Sequence, residues 1–324
     1  MISPDTRIGP APRTDEWLAA RRNAEDPKFG ASDAAAICGV SEYNTALGVY
    51  TEFVEPQPKV ATKSMRRGQI YEEAIQIDWS VENERSIVTQ IPMLFHPSAP
   101  LFATLDAQTY DTPLLPIVLY WNDITDAERA VLGNPLESKF SMSPTIAQQL
   151  GEDESDWVPP DWYLQVQQQM DIVKEQEAIV VVLIYGKLRT YNVPRRQTVI
   201  DRIHEQADNM RQRILHRLPP PADFEHSTTK GLIDRLAMGV EGGEVEATPE
   251  MTALWSEART HAERRLEHEK AEKKLKTMFK AAMVEQSVDC AVMPDGRRVV
   301  LQTIDVAEKV VKGYSYTKLW ERKN

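Results

Sequence analysis

The sequence predicts a mixed α/β (α+β) fold, and three observations carry that prediction. Ala178-Ile179-Val180-Val181-Val182-Leu183-Ile184-Tyr185 is a short β-branched run with the length of a buried strand. From about Ser64 to Glu84, Ile70, Ala74, Ile77 and Val81 recur at spacings of four, three and four, which predicts a helix with one apolar stripe. Strand-like and helix-like stretches then alternate as far as Pro219-Pro220-Pro221, the sharpest boundary in the chain.

In chain order, residues 1–14 hold three prolines and a glycine without apolar period, and predict a loose arm. Asp15 is the expected N-cap of a helix through Trp17, Leu18, Ala20 and Arg21. Gly30-Ala31-Ser32-Asp33 opens a second short helix that ends near Cys38-Gly39, and Pro56 to Pro58 marks a break. Ser86–Phe95 predicts a strand, with Leu101–Ala107 as its hairpin partner across His96-Pro97. Residues 111–134 form a long insertion before the next strand. Asp161 is the expected cap of a helix to about Glu175; the apolar strand, a hairpin mate near 187–193 and a helix from about Thr198 to Leu218 follow. Beyond the prolines come a charged helix from about Pro249 to Glu285, a hairpin around Pro294-Asp295-Gly296 and a strand near Tyr314–Tyr316. The expected organisation is an arm (1–14), a core (15–222) and a C-terminal helix and hairpin extension (223–324).

Composition narrows the function classes. Hydrophobic residues at 42% and charged ones at 27% describe an ordinary soluble protein, and no apolar run approaches the roughly 18–20 residues of a membrane span. Met1-Ile2-Ser3-Pro4-Asp5 has no secretory pattern, and Cys38 and Cys290 match neither a disulfide framework nor a zinc site. A cytoplasmic setting is expected. The net charge of −11 counts against a nucleic-acid partner, because phosphate binding is mostly electrostatic. It does not decide the matter, because a catalytic metal inverts the sign of an acidic centre.

Chemistry concentrates in Thr104-Leu105-Asp106-Ala107 and Pro135-Leu136-Glu137-Ser138-Lys139-Phe140. On a strand, Glu137 and Lys139 point to one face while Leu136, Ser138 and Phe140 point to the other. Two carboxylates from neighbouring strands beside a lysine suit a hard divalent ion and water, the apparatus of phosphodiester hydrolysis. Alone, Glu137-Ser138-Lys139 reads more readily as a surface ion pair than as a catalytic set.

Four further pieces surround the pair: Arg67-Gly68-Gln69-Ile70-Tyr71-Glu72; Trp17 to Arg21 with Gly30 to Asp33; Tyr163 to Met170, where Gln165 and Gln169 share a helix face; and the strand–hairpin–helix ending from Ile179 to Pro221. In this order they resemble the YqaJ-type viral recombinase family, the group containing phage lambda exonuclease, over about residues 15–221. The resemblance implies a PD-(D/E)xK restriction-endonuclease-like core, a mixed central sheet flanked by helices. It implies Mg²⁺-dependent digestion of linear duplex DNA from a 5′-phosphorylated end, with Mn²⁺ able to substitute, leaving 3′ single-stranded tails for recombination. It further implies a ring-shaped homotrimer, a single-strand annealing partner, and a phage or prophage origin.

Position by position, Asp106 and Glu137 match the metal-binding acids and Lys139 the lysine of the motif. The Ser138 carbonyl is a candidate third metal oxygen. Glu72 matches the helical acid and Gln165 the motif glutamine; Arg21 and Ser32 match the 5′-phosphate positions. Glu73, Gln167–Gln169 and Arg22 compete with Glu72, Gln165 and Arg21, and Ser32 also reads as a plain N-cap. The chain departs from the family pattern in its Leu-Asp-Ala setting of Asp106, in the length of the following insertion, and in the residues inserted at 23–28. Two other classes stay open: a restriction- or Cas4-like endonuclease, and a non-catalytic DNA-end binder or assembly adaptor.

Overall fold

A computed structural model describes residues 6–56, 62–111, 117–238 and 246–301. It divides into two compact units, Met1–Arg235 and Leu236–Asn324. The proline break at 57–58 and the expected strand near 314–316 lie outside the described residues.

The first unit opens with β1 (Arg7–Ile8), α1 (Asp15–Ala20), β2 (Phe29–Gly30), a 3₁₀ turn over Ala31–Asp33, α2 (Ala34–Ile37) and α3 (Ala46–Val54). Next come α4 (Lys63–Glu82), β3 (Ser86–Thr89), β4 (Leu94–Phe95), β5 (Leu101–Ala103), β6 (Ala107–Tyr110), β7 (Val118–Tyr120) and α5 (Asp126–Arg129). The unit continues with β8 (Pro135–Ser141), α6 (Pro144–Gln149), α7 (Pro160–Val173), β9 (Glu177–Ile184), β10 (Lys187–Pro194), α8 (Gln197–Leu215) and α9 (Ser227–Met238).

The main sheet has six strands in the order β10-β9-β8-β6-β3-β7. It is mixed: β8 runs parallel to β9 and β7 parallel to β3, while the other neighbours are antiparallel. Strand alternation sends β9 into two cores at once. Ile179 and Val181 pack with Ile75 and Trp79 of α4, whereas Ala178, Val180 and Val182 pack with Val166 and Met170 of α7. The sheet is thus sandwiched between these two helices. The α/β expectation, a mixed sheet flanked by helices, holds.

Several local expectations are corrected. The helix over 63–82 forms, capped by Thr62, but its predicted stripe faces outward: Ile70 is 71% exposed, Ile77 44% and Val81 60%. The buried face is Ile75, Gln76, Trp79 and Ser80, set by what the sheet offers rather than by the strongest periodicity. Thr14, not Asp15, caps α1 by accepting from the Trp17 N–H, and α7 begins at Pro160, leaving Asp161 to accept from the Glu42 N–H. The strand expected over 86–95 is two strands in different sheets, because the chain turns out of β3 at Gln90, in the left-handed region at φ 53°. Residues 6–14 are no loose arm: Arg7 and Ile8 pair with Phe95 and Leu94, and Gly9 donates to the Met93 carbonyl. The hairpin β4–β5 across His96-Pro97 and the β9–β10 hairpin are present.

The second unit holds α10 (Pro249–Glu285) and the antiparallel hairpin β11 (Cys290–Val292) and β12 (Arg298–Val300), turning at Gly296 with φ +84°. Thr248 caps α10, and exposed pairs at four-residue spacing, such as Glu272–Lys276 and Glu263–Arg259, line it. Among the described residues no helix is long and apolar enough to cross a membrane, and Cys38 and Cys290 are free thiols.

Candidate active site

The geometry starts from β8. Its alternation puts Glu137 and Lys139 on one face, and Lys139 Nζ donates to Glu137 Oε1 at 2.7 Å. From α7, Gln165 Oε1 accepts from the same ammonium at 3.0 Å, and Gln169 Nε2 donates to Glu137 Oε2 at 2.6 Å. Their four-residue spacing puts the two amides on one helix face. Asp106 sits in the break between β5 and β6, where its Oδ2 accepts from the Ser138 backbone N–H at 2.8 Å. Gln76 of α4 donates to the Asp106 carbonyl at 3.4 Å. One turn earlier on the same helix, Glu72 meets Arg13 at 3.2 Å.

The electrostatics are those of an acid cluster short of positive charge. Burial, then the charges of Glu137 and Glu72, push the Asp106 carboxyl well above the usual aspartate value. Burial also raises Glu72, with Arg13 opposing and Glu137 assisting. Burial works against the Lys139 cation, but Glu137 and Asp106 outweigh it and hold its pKa above the usual lysine value. Three acids share the site with one ammonium and, at Glu72, the Arg13 guanidinium, and its donors are hard oxygens. A divalent oxygen-seeking ion fits that set, and Asp106 and Glu137 are the residues that would hold it.

A cleft of about 550 Å³ opens beside the cluster, and Glu72, Gln76, Asp106, Gln165, Trp17, Arg21 and Ser32 all line it. Arg21 lies over the rings of Trp17 (4.6 Å) and Phe102 (5.6 Å) and donates to Ser32 Oγ at 3.2 Å. Arg22 is committed elsewhere, bonded to Asp33 at 3.0 Å and Glu52 at 2.7 Å. The two arginines, indistinguishable in sequence, thus separate: Arg21 faces the cleft and Arg22 ties the Asp33 turn to α3. Ser32 lies inside the 3₁₀ turn and caps nothing; Asp33 closes that turn by accepting from the Gly30 N–H.

The sequence matches the YqaJ-like viral recombinase domain over residues 16–176. The chain carries a YqaJ-like viral recombinase domain. The YqaJ-like region contains every residue of the acid cluster together with Trp17, Arg21 and Ser32. Among solved structures, the chain is similar to the alkaline exonuclease LHK-Exo from Laribacter hongkongensis, at 16% identity and TM-score 0.44, covering 63% of this chain and 94% of that one. LHK-Exo in complex with dAMP gives 17% identity and TM-score 0.45 over the same shares. No curated protein matches the sequence.

Two groups were not legible in the sequence of this YqaJ-like protein. Gln169 was only one of four candidate glutamines, and only its distance to Glu137 singles it out. His96, which lacks any partner at ligand spacing in sequence, meets Asp171 (3.3 Å) and His204, itself 2.7 Å from Asp171. These three groups lie close enough to hold a metal ion. The donor set argues otherwise. His96 Nδ1 accepts from the Ser98 and Ala99 N–H groups, so the proton sits on Nε2 and faces Asp171. Arg195 (2.8 Å) and Lys174 (3.3 Å) already neutralise Asp171. Burial opposes the charged form of Asp171, but His204, His96, Arg195 and Lys174 outweigh it and hold the carboxyl far below the usual range. The cluster pins the end of α7, the helix that carries Gln165 and Gln169.

Proposed function

We propose that this chain is a Mg²⁺-dependent 5′→3′ exonuclease. It digests one strand of linear duplex DNA and leaves 3′ single-stranded tails for phage-type recombination. The observation that carries this reading is the convergence of Asp106, Glu137, Lys139, Glu72 and Gln165 beside a cleft that Arg21 and Ser32 also line. Asp106 and Glu137 would hold the metal, with the Ser138 carbonyl as a third oxygen, and Mg²⁺ or a substituting Mn²⁺ would supply Lewis-acid polarisation of the phosphodiester and a more acidic water. Lys139, kept charged by its acids, donates to the reacting phosphoryl oxygens and offsets charge there. Gln165 aims the Lys139 ammonium. Glu72 orients water at the mouth of the cleft, and Arg21 with Ser32 receives the 5′-phosphate as a guanidinium–hydroxyl pair.

The exposed stripe Ile70, Ala74, Ile77 and Val81 on α4 supports an assembly, and a homotrimeric ring is the form the family implies. Enclosure of DNA by a ring makes a net charge of −11 tolerable. A single-strand annealing protein is the partner that would receive the 3′ tails, and the extension 223–324 offers it a surface.

The test is linear duplex DNA with a 5′-phosphate, with Mg²⁺, against Lys139→Ala. Shortening of the 5′ strand by the wild type alone is expected. Linearisation of covalently closed circles would convert the reading to an endonuclease, and binding of ends without cleavage would convert it to an adaptor.

A further inference from the structure

The insertion after Asp106 builds one wall of the cleft. Val118–Tyr120 adds β7 to the sheet edge, with Tyr120 opposite Thr89 in parallel register. The next residue, Trp121, is 5% exposed and packs into the core with Ile124 and Leu132. Arg129 lies over the indole at 4.7 Å and donates to the Trp121 carbonyl at 2.9 Å. A capping box between Thr125 and Glu128 closes the segment at 2.7 Å. This is a built element, anchored at its centre.

Anchoring Trp121 leaves its neighbours for the other side. Tyr120 and Asn122 both line the cleft that Glu72, Asp106, Gln165 and Arg21 also line. Tyr120 stays 39% exposed, and among the described residues neither its hydroxyl nor the Asn122 amide has a hydrogen-bond partner. An open aromatic face and a free amide beside a cluster suited to phosphodiesters match the face and the edge of a nucleobase.

We propose that Tyr120 and Asn122 form a nucleobase subsite, in which Tyr120 stacks on a base of the bound DNA end and Asn122 hydrogen bonds its edge. The subsite rests on the nuclease reading and deepens it. The insertion thereby sets which nucleotide next to the scissile bond is gripped, while Arg21 and Ser32 grip the phosphate.

The experiment uses the full chain carrying Lys139→Ala, so that DNA survives in Mg²⁺. Duplexes carry 2-aminopurine, in turn, at each of the three end nucleotides of either strand, or an abasic residue there. The expected result is quenching at one position, lost in Tyr120→Ala and kept in Tyr120→Phe. Binding by Tyr120→Ala is expected to weaken by about 5- to 100-fold on the natural end, the range of one stacked base. The abasic end should bind both proteins equally, and Asn122→Ala should weaken only natural ends. Equal loss on natural and abasic ends, or no quenching at any position, overturns the subsite. Absence of end binding by the Lys139→Ala parent and of cleavage by the wild type would instead overturn the nuclease reading itself.

Discussion

The Ser138 backbone N–H donates to Asp106 Oδ2 at 2.8 Å, so the peptide between Glu137 and Lys139 is what fixes the other acid. A Pro-Asp-Gly turn, the family's usual setting, is therefore not required to place this carboxylate. Leu105 is buried at 3% exposure and Ala107 at 0%, and they hold the strand break from either side while Ser138 supplies the donor.

Holding Asp106 next to two other acids costs stability, and the sign follows from its raised pKa. The folded protein binds that proton more tightly than the unfolded chain does. Metal-free stability should therefore fall as pH rises from about 4, the ordinary aspartate value, through the elevated folded value. At neutral pH, Asp106→Asn should raise the Tm of the metal-free protein. Mg²⁺ or Mn²⁺ at about 100 times its Kd should stabilise the wild type by about 2.7 kcal/mol and the variant far less. Calorimetry with and without EDTA reads both effects.

Lys139 is half-buried among acids that favour its charge, so its removal should strike the chemistry harder than the binding. Lys139→Ala should lower the cleavage rate by about 10²–10⁴-fold, with end-binding affinity within a few-fold of the wild type. Single-turnover kinetics against equilibrium binding separates the two. A matching loss in both would make Lys139 a binding residue only.

Gln169 gives Glu137 Oε2 a donor at 2.6 Å in a position with 0% exposure. Gln169→Leu should leave that oxygen free to turn away and should weaken Mn²⁺ binding by about 10-fold, the scale of one lost buried hydrogen bond. Gln169→Asn, too short to reach, should behave alike. Titration of Mn²⁺ by its electron paramagnetic resonance signal reads the effect without any activity. An unchanged affinity would leave Gln169 with a packing role.

Arg21 and Arg22 should separate cleanly. Arg22→Ala strands the buried Asp33, whose carboxyl is held low against burial chiefly by Arg22, and should cost on the order of 3 kcal/mol of stability in denaturant titration. Arg21→Ala should leave stability within about 0.5 kcal/mol while abolishing any preference for 5′-phosphorylated over 5′-hydroxyl ends. The opposite pattern would exchange their roles.

The local signals in this chain were those of period and punctuation. A short β-branched run between turns favours a buried strand, so β9 and its hairpin mate were legible, as were α10 and the Glu137–Lys139 face. These features depend on neighbours within a few residues. The buried face of α4 was not legible, because Ile70, Ile77 and Val81 form a better stripe than Ile75 and Trp79, and only the sheet decides which one is covered. The same holds within the site. Nothing local distinguishes Arg21 from Arg22 or Gln169 from its neighbours, and residues 111–134 read only as an interruption. By itself the sequence determined the family, the acid–lysine strand and the order of the elements. Tertiary structure decided which glutamine holds Glu137, which arginine faces the cleft, and that the insertion places Tyr120 and Asn122 in the cleft wall. The physical reason is range: strand and helix periodicities act over a turn or two, while hydrogen bonds and burial are settled between residues tens of positions apart.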